Sequence, residues 1–183
     1  MSTLDAPLPV APVVPGGAPH MLVVRAPYYR AVVDGMTEGA LRILREAGAT
    51  CEVLDVAGAF ELPQAIRLAL RGGAVPRWQG EGWQGAGAQG AGGAGGAFDG
   101  YVALGCVIRG GTDHYDHICR ETMAGLMAVA LQFGIALGSG LLTVHSLEQA
   151  VARSGTDGHN KGAEAAAAAL GQVAVARRFG GGR

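Results

Sequence analysis

The stretch "YVALGCVI", residues 101–108, decides the fold. It carries apolar side chains at nearly every position, not at every second one. A strand with one wet face alternates, whereas a strand covered on both faces does not. Three other runs read as strands: "MLVVR" (21–25), "CEVLDV" (51–56) and "GLLTVH" (140–145). Helical periodicity fills the intervals. Val33, Met36, Ala40, Ile43, Leu44 and Ala47 form one stripe, which Gly48 ends. Pro63 stands at a first helical position, with Ile66 and Leu70 on one face. Ile118, Thr122, Gly125, Leu126, Val129 and Phe133 form the next stripe, ended by Gly134. Ser146 with Gln149 is a capping box for a short helix, and an Ala-rich helix follows over residues 163–179.

Strands alternating with helices predict parallel pairing through right-handed crossovers. The expected architecture is therefore a three-layer α/β/α sandwich around a four-stranded parallel sheet. Ligands of such sheets bind beyond the carboxyl ends of the strands. That rule selects "APYYR" after the first strand, "AGAFELP" after the second, "IRGGTDH" after the third and "HS" after the fourth.

The 183 residues are enough for one domain with a sizeable core. A net charge of −1 offers no attraction for nucleic acid or an anionic membrane. Cys51, Cys106 and Cys119 make an odd count without framework spacing. Cys51 and Cys106 fall in apolar strands, as reduced thiols of a cytoplasmic protein do. The opening residues, 1–19, are interrupted by prolines throughout and read as a flexible arm, neither signal peptide nor membrane span. Residues 72–97 contain 11 glycines in 26 positions. Such composition cannot bury enough apolar surface to offset its ordering entropy, so a disordered surface insert is expected there. Trp78 and Trp83 within it read as solvent-tolerant loop residues. The domain proper spans 20–179, with 180–183 as a tail.

Several residues at the strand ends could carry chemistry. His114 and His117 stand three apart, and a metal could use both with Asp116 or Cys119. No other His/Cys pair has ligand spacing, and His114 reads equally as a general acid/base or a solvated loop histidine. Gly110, Gly111 and Thr112 leave backbone N–H groups open at a helix N-terminus, where an anion is favoured. Arg109 beside them is either a second anion contact or a surface cation. Phe60 offers an aromatic face and Glu61 a carboxylate to a flat heterocycle, though Glu61 is equally a helix N-terminal charge. Tyr28 and Tyr29 suit the same stacking role or core packing. Arg153, expected in the last turn of the helix capped by Ser146, complements the dipole or clamps a phosphate.

Taken in order, "AGAFELP", "GCVIRGGTDHYDHICRE" and "LEQAVARSGTDGHNKGAEAA" resemble the 6,7-dimethyl-8-ribityllumazine synthase family of riboflavin biosynthesis. The likeness covers residues 21–179 apart from the insert. It implies a flavodoxin-like fold and a transferase that uses no metal and no organic cofactor. The reaction implied is condensation of 5-amino-6-(D-ribitylamino)uracil with 3,4-dihydroxy-2-butanone 4-phosphate, through an imine, with release of phosphate and water. His114 falls on the family's proton-transfer histidine. Gly111 and Thr112 match its phosphate turn, and Arg153 its phosphate arginine. Ala59, Phe60 and Glu61 match the segment holding the aminouracil and ribityl chain. Cys106, Val107 and Ile108 match the strand end that contacts the uracil, and Tyr28 the ring-stacking aromatic.

This chain also departs from the family pattern. Pro27, Tyr28 and Tyr29 replace the usual Arg-Phe-Asn, and Ser139 stands where a phenylalanine often reaches a neighbour's site. Asp157 replaces a common lysine, and the insert is atypical. The resemblance further implies self-association into a homopentamer, with a sixty-subunit icosahedral shell as an extension, and small-molecule substrates as the other partners. Two rival readings are a flavin- or lumazine-binding module without turnover and a purely shell-forming protein. Retention of His114 and Arg153 favours the enzyme.

Overall fold

The computed structural model describes residues 8–71, 98–156 and 159–179. The start of the arm (1–7), the glycine-rich run with Trp78 and Trp83 (72–97), Asp157 and the tail (180–183) lie outside the described residues.

Four strands, β1 (His20–Ala26), β2 (Thr50–Asp55), β3 (Gly100–Ile108) and β4 (Ala136–Val144), pair in parallel in the order β2-β1-β3-β4. The register is continuous, Val23 meeting Val53 on one side and Val102 on the other. β3 is the most buried strand, its first seven residues all enclosed. Alternate residues feed two cores. Met21, Val23, Val102, Leu104 and Cys106 pack with α1 (Arg30–Glu46) and α5 (Lys161–Phe179) on one face. Leu22, Val24, Tyr101 and Ala103 pack with α2 (Leu62–Arg71) and α3 (His114–Phe133) on the other. Full burial of Leu62 and Ile66 on α2 contributes about 1.5–3 kcal/mol each. This is the expected sandwich.

Two details differ from the sequence reading. β4 begins four residues earlier than the expected start at 140, because Gly138 and Ser139 carry no apolar signal. Gly138 is glycine for a packing reason: a Cβ there would stand 1.9 Å from the Ala165 carbonyl oxygen of α5. β2 is an exposed edge strand, so Cys51 is only half-buried, while Cys106 is enclosed.

The amino-terminal segment from residue 8 follows the body. Ala11 and Val14 rest on the first core, and Arg177 donates to the carbonyls of Pro15 and Gly17 at 2.8 and 2.6 Å. The same guanidinium meets the buried Asp99 carboxylate at 3.1 Å.

Asn160 joins the first face to the loop before α5. Its Nδ2 donates to the carbonyls of Gly35, Ser154 and Gly155 at 2.8, 3.0 and 3.1 Å. Its Oδ1 accepts from the N–H groups of Gly162 and Ala163, capping α5. Gly35 and Gly39 of α1 clear the space, since a Cβ at Gly39 would lie 2.3 Å from Asn160 Oδ1. Replacing Asn160 by Ala strands buried carbonyls and removes the cap, which should cost about 2–4 kcal/mol. Asn160→Asp keeps the cap acceptor but loses the donors, and denaturant unfolding should rank it between wild type and Asn160→Ala.

Candidate active site

The chain leaves β1 toward β2 on one side and later crosses to β3 on the other. The carboxyl ends of β1 and β3 therefore border the switch point where parallel sheets bind ligands. A cavity of about 460 Å³ opens there, a size suited to a small organic ligand. After β1 it is lined by Tyr28 and Tyr29, and after β2 by residues 57–61. β3 adds Cys106, Val107 and Ile108, and α3 adds His114 and Ile118.

Two aromatic faces are available to a flat ring. Tyr28 is 75% exposed and stands edge-on to Tyr29 at 5.1 Å, while Phe60 is 47% exposed. Leaving such surface wet forgoes burial energy, which a planar ligand would recover. Ala59–Glu61 form a single 3₁₀ turn after the extended Gly58, closed by Glu61 N–H donating to Gly58 at 3.2 Å. Gln64 Nε2 donates to the Phe60 carbonyl at 3.3 Å. This tight turn holds Phe60 and Glu61 at the cavity rim.

Cys106 is not a nucleophile here. Burial pushes its thiol up to about 11, so it stays neutral and packs as an apolar wall. His114 is the first residue of α3 and exposed, and its side chain has no hydrogen bond or ion pair among the described residues. It is thus free to serve a ligand. His117 does not line the cavity and meets Arg120 at 3.2 Å instead. Among the described residues, no three His, Cys, Asp or Glu side chains gather as a metal would require.

The structure does not bring the remaining expected residues into this cavity. Gly111 and Thr112 lie exposed in the turn between β3 and α3, beside His114 but not among the lining residues. Arg109 is paired with Asp116. Ser139 and Arg153 line a separate hollow of about 410 Å³ along β4 and α5, shared with Lys161 and Glu164. The two hollows have no residue in common. Arg153 also falls outside the helix expected to hold it. α4 (Leu147–Val151), capped by Ser146, ends two residues earlier, and Arg153 Nη1 donates to the Gln149 carbonyl at 2.9 Å. Lys161 Nζ meets both Glu164 oxygens at 2.7 Å.

A sequence profile described as 6,7-dimethyl-8-ribityllumazine synthase matches residues 18–81 and 84–177. The chain belongs to the 6,7-dimethyl-8-ribityllumazine synthase family. A 6,7-dimethyl-8-ribityllumazine synthase of Agrobacterium fabrum is 40% identical over 163 residues, 89% of this chain and 98% of its own length. One from Methylobacterium radiotolerans is 39% identical over 179 residues, 98% of this chain and 94% of its own. The 6,7-dimethyl-8-ribityllumazine synthase 1 of Rhizobium meliloti is 40% identical over 161 residues, 88% and 94% of the two chains. Lumazine synthases are transferases of riboflavin biosynthesis. No helix among the described residues is long and apolar enough to cross a membrane.

The strand that ends at this site makes stability depend on pH. Burial raises the Cys106 thiol, and raises the Tyr101 phenol further still. Below about pH 8 both groups are neutral, folded or unfolded, and neither penalises the fold. As pH rises through the unfolded values, only the unfolded chain releases these protons, so stability falls. Melting temperature should therefore decline from about pH 9 upward. Cys106→Ala should flatten the first part of that decline relative to its own value at pH 7.

Proposed function

We propose that the aminouracil lies in the 460 Å³ cavity between Tyr28 and Phe60. Glu61 then takes the ribityl hydroxyls, and the main chain of Cys106–Ile108 takes the uracil edge. The butanone phosphate sits beside it, its phosphate on the Gly111–Thr112 N–H groups and on Arg153 of a neighbouring copy. The ring amine attacks the ketone and loss of water gives an imine; phosphate is then eliminated, the ribitylamino nitrogen attacks the remaining carbonyl, and loss of a second water closes the ring to the lumazine. His114 carries protons between these steps, at the edge of the cavity where the two substrates meet. Much of the rate comes from holding the substrates together, so His114 is one contributor among several. The three half-buried or buried thiols fit the cytoplasmic location expected of such an enzyme.

One observation carries the assembly part of this reading. His114 and the aromatic platform face one hollow, while Arg153 and Ser139 face another that shares no residue with it. On this reading a second copy presents its basic hollow, so that a phosphate next to His114 meets that copy's Arg153. A closed ring of identical interfaces satisfies every copy, and a homopentamer is the ring we propose. With Ser139 in place of a bulky aromatic, the neighbour's contribution to the cavity wall is small. Association of rings into a sixty-subunit shell is a further step on the same reading.

His114→Ala should lower kcat by roughly 10- to 10⁴-fold without loss of fold. Arg153→Ala should raise the KM for the butanone phosphate far more than that for the aminouracil. Co-assembling the two inactive variants is the decisive experiment. Hybrid rings contain some sites with the histidine of one chain and the arginine of the other, and should regain roughly a quarter of wild-type activity. No recovery from verified hybrids would place both residues in one chain's site. A monomer by light scattering would remove the composite site altogether.

A further inference from the structure

We propose that the Arg109–Asp116 ion pair is a brace that sets the Gly110–Thr112 turn and His114, so that Arg109 is a positioning residue and not a phosphate ligand. This rests on the functional reading above, because it assigns a role within that site.

The backbone of Arg109 extends the β3–β4 ladder by one bond, its N–H donating to the Val144 carbonyl at 2.9 Å. The sheet thus fixes where the side chain starts. The guanidinium then makes two bonds to the Asp116 carboxylate, Nη1 to Oδ2 at 3.0 Å and Nη2 to Oδ1. Its Cζ lies 4.3 Å from the centroid of the Tyr115 ring. That ring is a firm support: Tyr115 is 8% exposed and edge-on to His145 at 6.0 Å. Both terminal nitrogens of Arg109 are engaged before any phosphate arrives.

The chain between the two ends of the pair needs such support. Residues 110–114 are all exposed. A Cβ placed on Gly110 or Gly111 would meet nothing within 4 Å, so packing does not hold the turn. Asp113 at the N-cap of α3 makes no side-chain cap bond. Two adjacent glycines make the backbone permissive as well. A fork on a carboxylate restrains direction as well as distance, which a point charge cannot do. Asp116 also lies in the first turn of α3, where the helix dipole favours its charge. Arg109 accordingly holds the Asp116 carboxyl below the usual carboxylate range. Exposed ion pairs contribute little to global stability, so the effect of this one is local.

The test combines turnover with hydrogen exchange at the first-turn amides of α3, two of which, Asp116 and His117, bond to the Asp113 carbonyl. Arg109→Gln and Asp116→Asn should each speed exchange at these amides and lower kcat by roughly 10- to 100-fold. Melting temperature should hardly move. The double variant should be no worse than either single, since both remove one interaction. Arg109→Lys keeps the charge without the fork and should behave as the others do. The brace is overturned if Arg109→Gln raises the butanone phosphate KM while Asp116→Asn leaves kcat and exchange unchanged, for Arg109 is then a phosphate ligand. Unchanged exchange in both single variants overturns it whatever the activity. Absence of turnover by the wild-type chain would instead strike the functional reading, and exchange would still judge the brace.

Discussion

The enclosure of β3 on both faces governs everything else in this fold. A strand whose first seven residues are buried must be flanked by strands on both edges and by helices above and below. Its neighbours are β1 and β4, so the direction of chain travel reverses between β1 and β3. No helix can cover the carboxyl ends at that point, and the cavity is the space left. Cys106, Val107 and Ile108 line it because they are the last residues of the enclosed strand, where cover gives out.

What the sheet opens, two polar devices shape. Asn160 draws α1, the 154–155 loop and the start of α5 to one point, using carbonyls that would otherwise be buried without partners. Glycines at 35 and 39 allow the approach, and Arg153 is carried on the loop so fixed. On the other side of the site, Arg109 and Asp116 span the turn that carries His114. The buried device bears on global stability, since unsatisfied groups inside are costly. The exposed one bears on local order. Each lies beside a different hollow.

Much of this was legible in sequence. Four strands with helices between them implied the parallel sandwich, the strand-end rule pointed to Tyr28, Phe60, Glu61 and His114, and the family resemblance added Cys106–Ile108. These residues share one cavity because strand ends of a parallel sheet lie side by side. Other features escaped. Gly138 and Ser139 hid the start of β4, since neither adds to a hydrophobic pattern. Asn160 could have been flagged as a cap ahead of the Ala-rich helix, but its bonds to Gly35 span 125 positions of sequence. Arg109 and Asp116 were both noticed, seven apart, without any sign that they meet.

By itself the sequence determined the order and type of the elements, the parallel sheet and the family to which the three motifs belong. Local patterns carry that much, because periodicity, caps and short motifs are properties of neighbouring residues. Only the tertiary structure decided which side chains share a space. It set Arg153 and Ser139 along β4 and α5, in a hollow that shares no residue with the His114 cavity. The reason is physical. Distances across a sheet depend on strand order and on the packing of α5 against α1, and neither is encoded within any short stretch of chain.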